Sequence, residues 1–116
     1  MRFIDFGVKA FERNLSNIIF TCKAKNVKIL LSTAPICEEK INWTQKSRQV
    51  MSSVIKKCRD VIYKLTSIYD VPLVDNASLI PMDETTLHNE SHLTDKGGDI
   101  LAKNLYKEIT RLGFIK

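Results

Sequence analysis

Glycine and proline are scarce in this 116-residue chain, at four and three residues, which excludes a collagen-like repeat and leaves no room for a low-complexity linker. Long apolar runs are missing too. Stretches such as Ile29 to Leu31 fall far short of the roughly 20 residues that cross a bilayer, so no membrane span is expected. Cysteine is limited to Cys22, Cys37 and Cys58, an odd set without a C-x-x-C pair. That argues against a disulfide framework and against a zinc knuckle, and free thiols with no metal and no cofactor are expected. The amino-terminal stretch Met1-Arg2-Phe3-Ile4-Asp5-Phe6 carries an acid among its apolar residues and no small-residue cleavage site. It does not read as a signal peptide, and a reducing, cytoplasmic setting is expected. The N-x-S/T matches beginning at Asn14, Asn42, Asn76 and Asn89 then read as chance.

What is present is ordinary globular material, 44% apolar and 27% charged, at the size of one domain. Eighteen basic against thirteen acidic residues give a net charge of +5, spread along the chain rather than blocked. Lys46, Arg48, Lys56, Lys57, Arg59 and Lys64 fall in one segment, yet no nucleic-acid motif accompanies them and aromatic interleaving is slight. They read as a solvated helix face, and no nucleic-acid partner is expected.

Apolar residues at Val8, Phe11, Leu15, Ile18, Ile19 and Cys22 follow the three-and-four spacing of a buried helix face, predicting a first helix that ends near Asn26. Val27 to Thr33 is a short apolar run with a Thr-Ala-Pro stop, as expected of a strand buried on both faces of a parallel sheet. From about Thr44 to Tyr69 a long amphipathic helix is predicted, its stripe made by Val50, Met51, Val54, Ile55, Cys58, Val61, Ile62, Leu65 and Ile68. A second strand is expected at Val71 to Val74, with Pro72 near its start, where a missing backbone donor is tolerated. Ala77 to His92 has Pro81, three acids and no period, and reads as a long functional loop. Thr94 then caps a last helix whose inner face is Ile100, Leu101, Leu105, Tyr106, Ile109 and Leu112, closed by Gly113. Helix, strand, helix, strand, helix contains one right-handed βαβ unit, and two parallel strands alone leave both sheet edges unpaired.

The most specific passage is His92-Leu93-Thr94-Asp95-Lys96-Gly97, running into the apolar helix with Ile100-Leu101-Ala102 and Leu105-Tyr106. It resembles the closing block of the SGNH (GDSL-like) hydrolases, where an acid, two intervening residues and a histidine precede a Leu-Thr-x-x-Gly turn. The run from Val27 to Pro35 looks like that family's penultimate strand and its exit loop, and Tyr69 to Asp75 looks like the approach to its last strand. The likeness covers nearly all of this chain but only the C-terminal half or so of the family domain. It implies a truncated three-layer αβα, flavodoxin-like α/β fold with a short parallel sheet, a single partial domain over residues 1–116. The family's Gly-Asp-Ser nucleophile block and its middle glycine and asparagine blocks have no counterpart here. Ser32, Ser52, Ser53, Ser78 and Ser91 lack that context, so no nucleophile is carried over.

An ester hydrolase needs a hydroxyl nucleophile, a base for its proton and donors for the developing oxyanion. The resemblance makes His92 the base and puts Asn89 where the orienting acid belongs. An amide holds an imidazole by a hydrogen bond but does not stabilise imidazolium as a carboxylate does, and it is able to select the wrong tautomer. In serine proteases the corresponding Asp to Asn change costs about 10⁴ in turnover. Glu90, Asp83, Glu84 or a backbone carbonyl are alternative orienting groups in the same loop. His88 has no motif, and Asp75-Asn76, just past a strand end, reads first as a turn and second as a substrate contact.

The expected function is therefore the C-terminal part of an acyl or acetyl esterase, inactive until a missing N-terminal half completes it and then acting on a small ester. The alternative from another class is a non-catalytic α/β interaction module, with copies or the complementing half joined through the sheet edges. A third reading is a cysteine hydrolase built on Cys37 and His92.

Overall fold

The computed structural model describes residues 2–115 and divides the chain into two compact units, Met1–Leu31 with Trp43–Pro72 and Ser32–Asn42 with Leu73–Lys116. The first unit is built on two long helices, α1 (Arg2–Ala24) and α2 (Gln45–Ile68). Ile19, Val61, Leu65 and Val71 form its buried core, with Val8, Phe11, Leu15, Ile29, Leu31 and Tyr69 packed against it. Lys57 pairs with Asp5 at 2.9 Å and Lys64 pairs with Glu12, both at the same sequence separation of 52, so α1 and α2 run in the same direction.

α2 begins as predicted. The Thr44 hydroxyl accepts the Ser47 N–H at 3.2 Å and satisfies one of the donors orphaned at the helix start. All three long helices end in one way. Asn26, Asp70 and Gly113 take left-handed φ values of 57°, 52° and 69°, and the next residue's N–H reaches back five positions, from Val27 to Cys22 O, Val71 to Thr66 O and Phe114 to Ile109 O. That is the Schellman arrangement, with glycine at one end and the two side chains that best tolerate the left-handed region at the others.

The strands are shorter than the sequence predicts. β1 is Leu31–Ser32 and β2 is Leu73–Val74, against expected spans of Val27 to Thr33 and Val71 to Val74. Leu31 N–H donates to Pro72 O in the first unit and Thr33 N–H to Val74 O in the second; partners advance together by two residues, so the pairing is parallel. Pro72 precedes β2 and contributes only its carbonyl, as its missing donor allows. Most of the chain is helical, and the sheet is a two-stranded strip. A run buried on both faces is also corrected, because Ser32 is exposed and Leu31 only half-buried.

In the second unit α4 (Asp95–Arg111) packs on β2, with a short helical turn, α3 (Asn76–Leu79), inside the segment expected to be loop throughout. Asn76 is fully buried at the end of β2. Its amide nitrogen donates to Ser32 Oγ at 2.7 Å and its amide oxygen accepts from Asn104 of α4 at 3.0 Å. Alongside, the Thr33 hydroxyl donates to Asp75 at 2.6 Å and accepts the Ala77 N–H at 2.9 Å. Among the described residues no helix is long and apolar enough to cross a membrane.

Candidate active site

The loop ahead of α4 is built from the backbone upward. Asp83 opens it: its carboxylate accepts from the Thr85 N–H at 2.7 Å and from the Thr85 hydroxyl, and that hydroxyl holds the Asp83 carboxyl below the usual carboxylate range. Thr86, almost wholly buried, gives its hydroxyl to Pro81 O. From there the chain folds back on itself. Leu87 and Leu93 form an antiparallel bridge, flanked by His88 N–H to His92 O at 2.8 Å and Thr94 N–H to Thr86 O at 2.9 Å. Leu87, 1% exposed, anchors this narrow hairpin inside the unit. Two bonds from the Cys37–Ile41 segment hold it, Cys37 N–H to Glu90 O at 2.9 Å at the tip and Lys40 Nζ to Leu87 O at 3.3 Å at the stem.

The Leu-Thr-x-x-Gly turn now has a physical basis. Thr94 accepts the Gly97 N–H at 3.1 Å as the cap of α4, and its hydroxyl donates to Thr85 O at 2.6 Å. Gly97 is required because a Cβ there would lie 2.2 Å from Thr86 O. Helix start and hairpin are thus one device, and it presents His92.

Asn89 and His92 are brought together. His92 Nδ1 lies 2.9 Å from Asn89 Oδ1, and the same oxygen accepts the backbone N–H of Ser91 at 3.1 Å and of His92 at 2.9 Å. The ring is exposed, and Asn89 is half-buried. Of the other orienting groups, Asp83 is engaged with Thr85, and among the described residues no carboxylate is ion-paired to His92. His88 is exposed, and its backbone N–H donates to His92 O in this hairpin.

Cys37 is buried while the His92 ring is exposed. Their segments touch through the backbone at Glu90, and no hydrogen bond links thiol to ring among the described residues. At Asp75-Asn76 the Ser78 hydroxyl donates to Asp75 at 2.8 Å as a turn bond, while the Thr33 bond to Asp75 and the bonds of Asn76 to Ser32 and Asn104 join distant segments.

No protein-family model matches the sequence, and no curated protein does. The fold is shared with a GDSL-like lipase. That lipase, from Bacteroides thetaiotaomicron, superposes with a TM-score of 0.66 at 14% identity, over 87% of this chain and 51% of its own. The chain spans about half the length of the lipase it matches, and the likeness agrees with the α/β character expected of it.

Sequence reasoning missed three features of this unit. The Ser32–Asn76–Asn104 relay left one trace, a lone asparagine on the inner side of an otherwise apolar helix stripe. The Gly97 approach to Thr86 and the backbone bonds that seize Asn89 left none, since both depend on how the hairpin folds back.

Proposed function

We propose that this chain is the base-bearing portion of an SGNH-type ester hydrolase, a truncated αβα domain whose Gly-Asp-Ser half comes from other polypeptide. The observation that carries it is the 2.9 Å contact between His92 Nδ1 and the side chain three residues earlier, in a hairpin locked to the last helix by a Leu-Thr-x-x-Gly turn. The GDSL-like fold of the lipase supports the same reading. In this scheme Nε2 of His92 takes the proton of a serine hydroxyl supplied by the other half as that hydroxyl attacks the ester carbonyl. The proton then passes to the leaving alkoxide. Asn89 orients the ring. The free thiols Cys22, Cys37 and Cys58 suit a reducing compartment.

The test is hydrolysis of a short-chain aryl acetate. The folded chain alone is expected to be inactive; co-expressed with the Gly-Asp-Ser polypeptide of its own longer reading frame or a neighbouring gene, it is expected to turn over, and His92→Ala to abolish this. Absence of any such block, or turnover indifferent to His92→Ala, overturns the proposal.

A second reading, a non-catalytic module that pairs with further copies of itself, is favoured by one observation. Among the described residues the sheet holds only β1 and β2, with no further strand beside either, and large apolar side chains, Phe3, Phe6 and Trp43 among them, are exposed in the first unit.

A further inference from the structure

We propose that Asn89 is a positioning residue that locks His92 in the Nδ1–H tautomer, so that Nε2 is the nitrogen with the free lone pair. A primary amide facing a ring nitrogen has two choices, because a half-turn exchanges its oxygen for its NH₂ group and so serves either tautomer. In an isolated Asn–His pair the ring and the amide therefore choose together. Asn89 has no such freedom. Its Oδ1 accepts two backbone donors, Ser91 N–H at 3.1 Å and His92 N–H at 2.9 Å, and a backbone N–H is never an acceptor. A half-turn would aim the NH₂ hydrogens at both of those N–H groups and strand all of them. Each net hydrogen bond is worth about five-fold in an equilibrium, so losing two disfavours the flipped amide by about 25-fold, before the cost of the stranded donors.

The backbone thus decides which atom faces the ring. Oδ1 is that atom, it carries no hydrogen, and Nδ1 of His92 lies 2.9 Å from it. The hydrogen between them has to come from the ring. Nδ1 is protonated, and Nε2, on an exposed side chain, is the acceptor. An aspartate would reach the same tautomer through two equivalent oxygens. Asn89 reaches it through the turn it sits in, without a fixed negative charge. This turns the substitution that would disable a conventional acid–histidine pair into one that preserves the base's geometry. The catalytic meaning rests on the hydrolase reading above; the tautomer itself does not.

The experiment is a two-bond ¹H–¹⁵N correlation spectrum of the labelled full chain, without substrate, at alkaline pH where imidazole rings are neutral. The chain has two histidines, so His88→Gln assigns the His92 signals. Expected is a pyrrole-like Nδ1 and a pyridine-like Nε2 for His92. Asn89→Ala is expected to move the tautomer ratio about five-fold toward Nε2–H, the form a free histidine side chain prefers, and Asn89→Asp to restore Nδ1–H. Should Asn89→Ala fail to fold, the native and Asn89→Asp spectra still decide. An Nε2–H ring in the native chain, or an Nδ1–H ring undisturbed by Asn89→Ala, overturns the assignment. Neither result depends on ester turnover, so the hydrolase reading stands or falls separately.

Discussion

Gly97 shows how much a single absent methyl carries. The atom its Cβ would strike, Thr86 O, is already held by Thr94 N–H at 2.9 Å, so neither the helix nor the hairpin is free to retreat. Gly97→Ala is expected to lower stability by at least about 2 kcal/mol, read as a fall in the urea midpoint. Its neighbour is the control. Nothing lies within 4 Å of a Cβ at Gly98, and Gly98→Ala is expected to raise stability by up to about 1 kcal/mol through helix propensity alone. If both substitutions fell within about 0.5 kcal/mol of the native chain, the hairpin would not be fastened to α4. At this scale the candidate pair was legible through the resemblance of the His92-Leu93-Thr94 block to the SGNH closing block, which puts Asn89 in the orienting position three residues before His92. Which atom of the amide meets the ring was not, since that depends on the N–H groups of Ser91 and His92 converging on one oxygen.

At the scale of the element, the helices were the most legible part. Their stripes repeat over many turns, and their ends carry local signals in Thr44, Thr94 and Gly113 that need no tertiary context. The strands were read too long for the opposite reason. A strand exists where a partner offers carbonyls, and Val27, 55% exposed, instead turns its N–H back to Cys22 O at the end of α1. The apolar stripe of α2 is not buried along its whole length, because Val50 and Ile68 near its two ends are exposed. α1 and α2 carry a prediction of their own. Lys57 holds the exposed Asp5 carboxyl below its ordinary value, so the pair favours the folded state above the unfolded pKa of about 3.9 and is lost as pH falls through the lower folded one. The native chain should lose urea resistance across that acid limb at low salt, and Asp5→Asn should flatten it. Because both side chains are open to solvent, high salt should shrink the difference. An acid limb identical in the two proteins would remove the pair from any role in stability.

For the whole molecule, the central fact is what remains uncovered. Phe3 and Phe6 are 93% and 76% exposed, and a groove of about 350 Å³ on the first turns of α2 is lined by Trp43, Val50, Met51 and Val54. On the proposed half-enzyme reading, such surface is where other polypeptide would dock. The net charge of +5 opposes association of identical copies, while the apolar surface favours it, and salt separates the two effects because it screens only the first. Sedimentation of the chain alone is therefore expected to show reversible, concentration-dependent association that strengthens with added salt. Val50→Asp together with Phe6→Asp is expected to return a folded monomer. Co-expression with a Gly-Asp-Ser half is expected to replace self-association by a one-to-one complex, because the same apolar surface is then occupied. A folded chain that stays monomeric at every salt concentration would mean that this surface is stable in water, and would remove the self-pairing module from consideration. A complex formed equally well by the double variant would place the joining surface elsewhere and leave the sheet edges, Leu31–Ser32 and Leu73–Val74, as the next candidates.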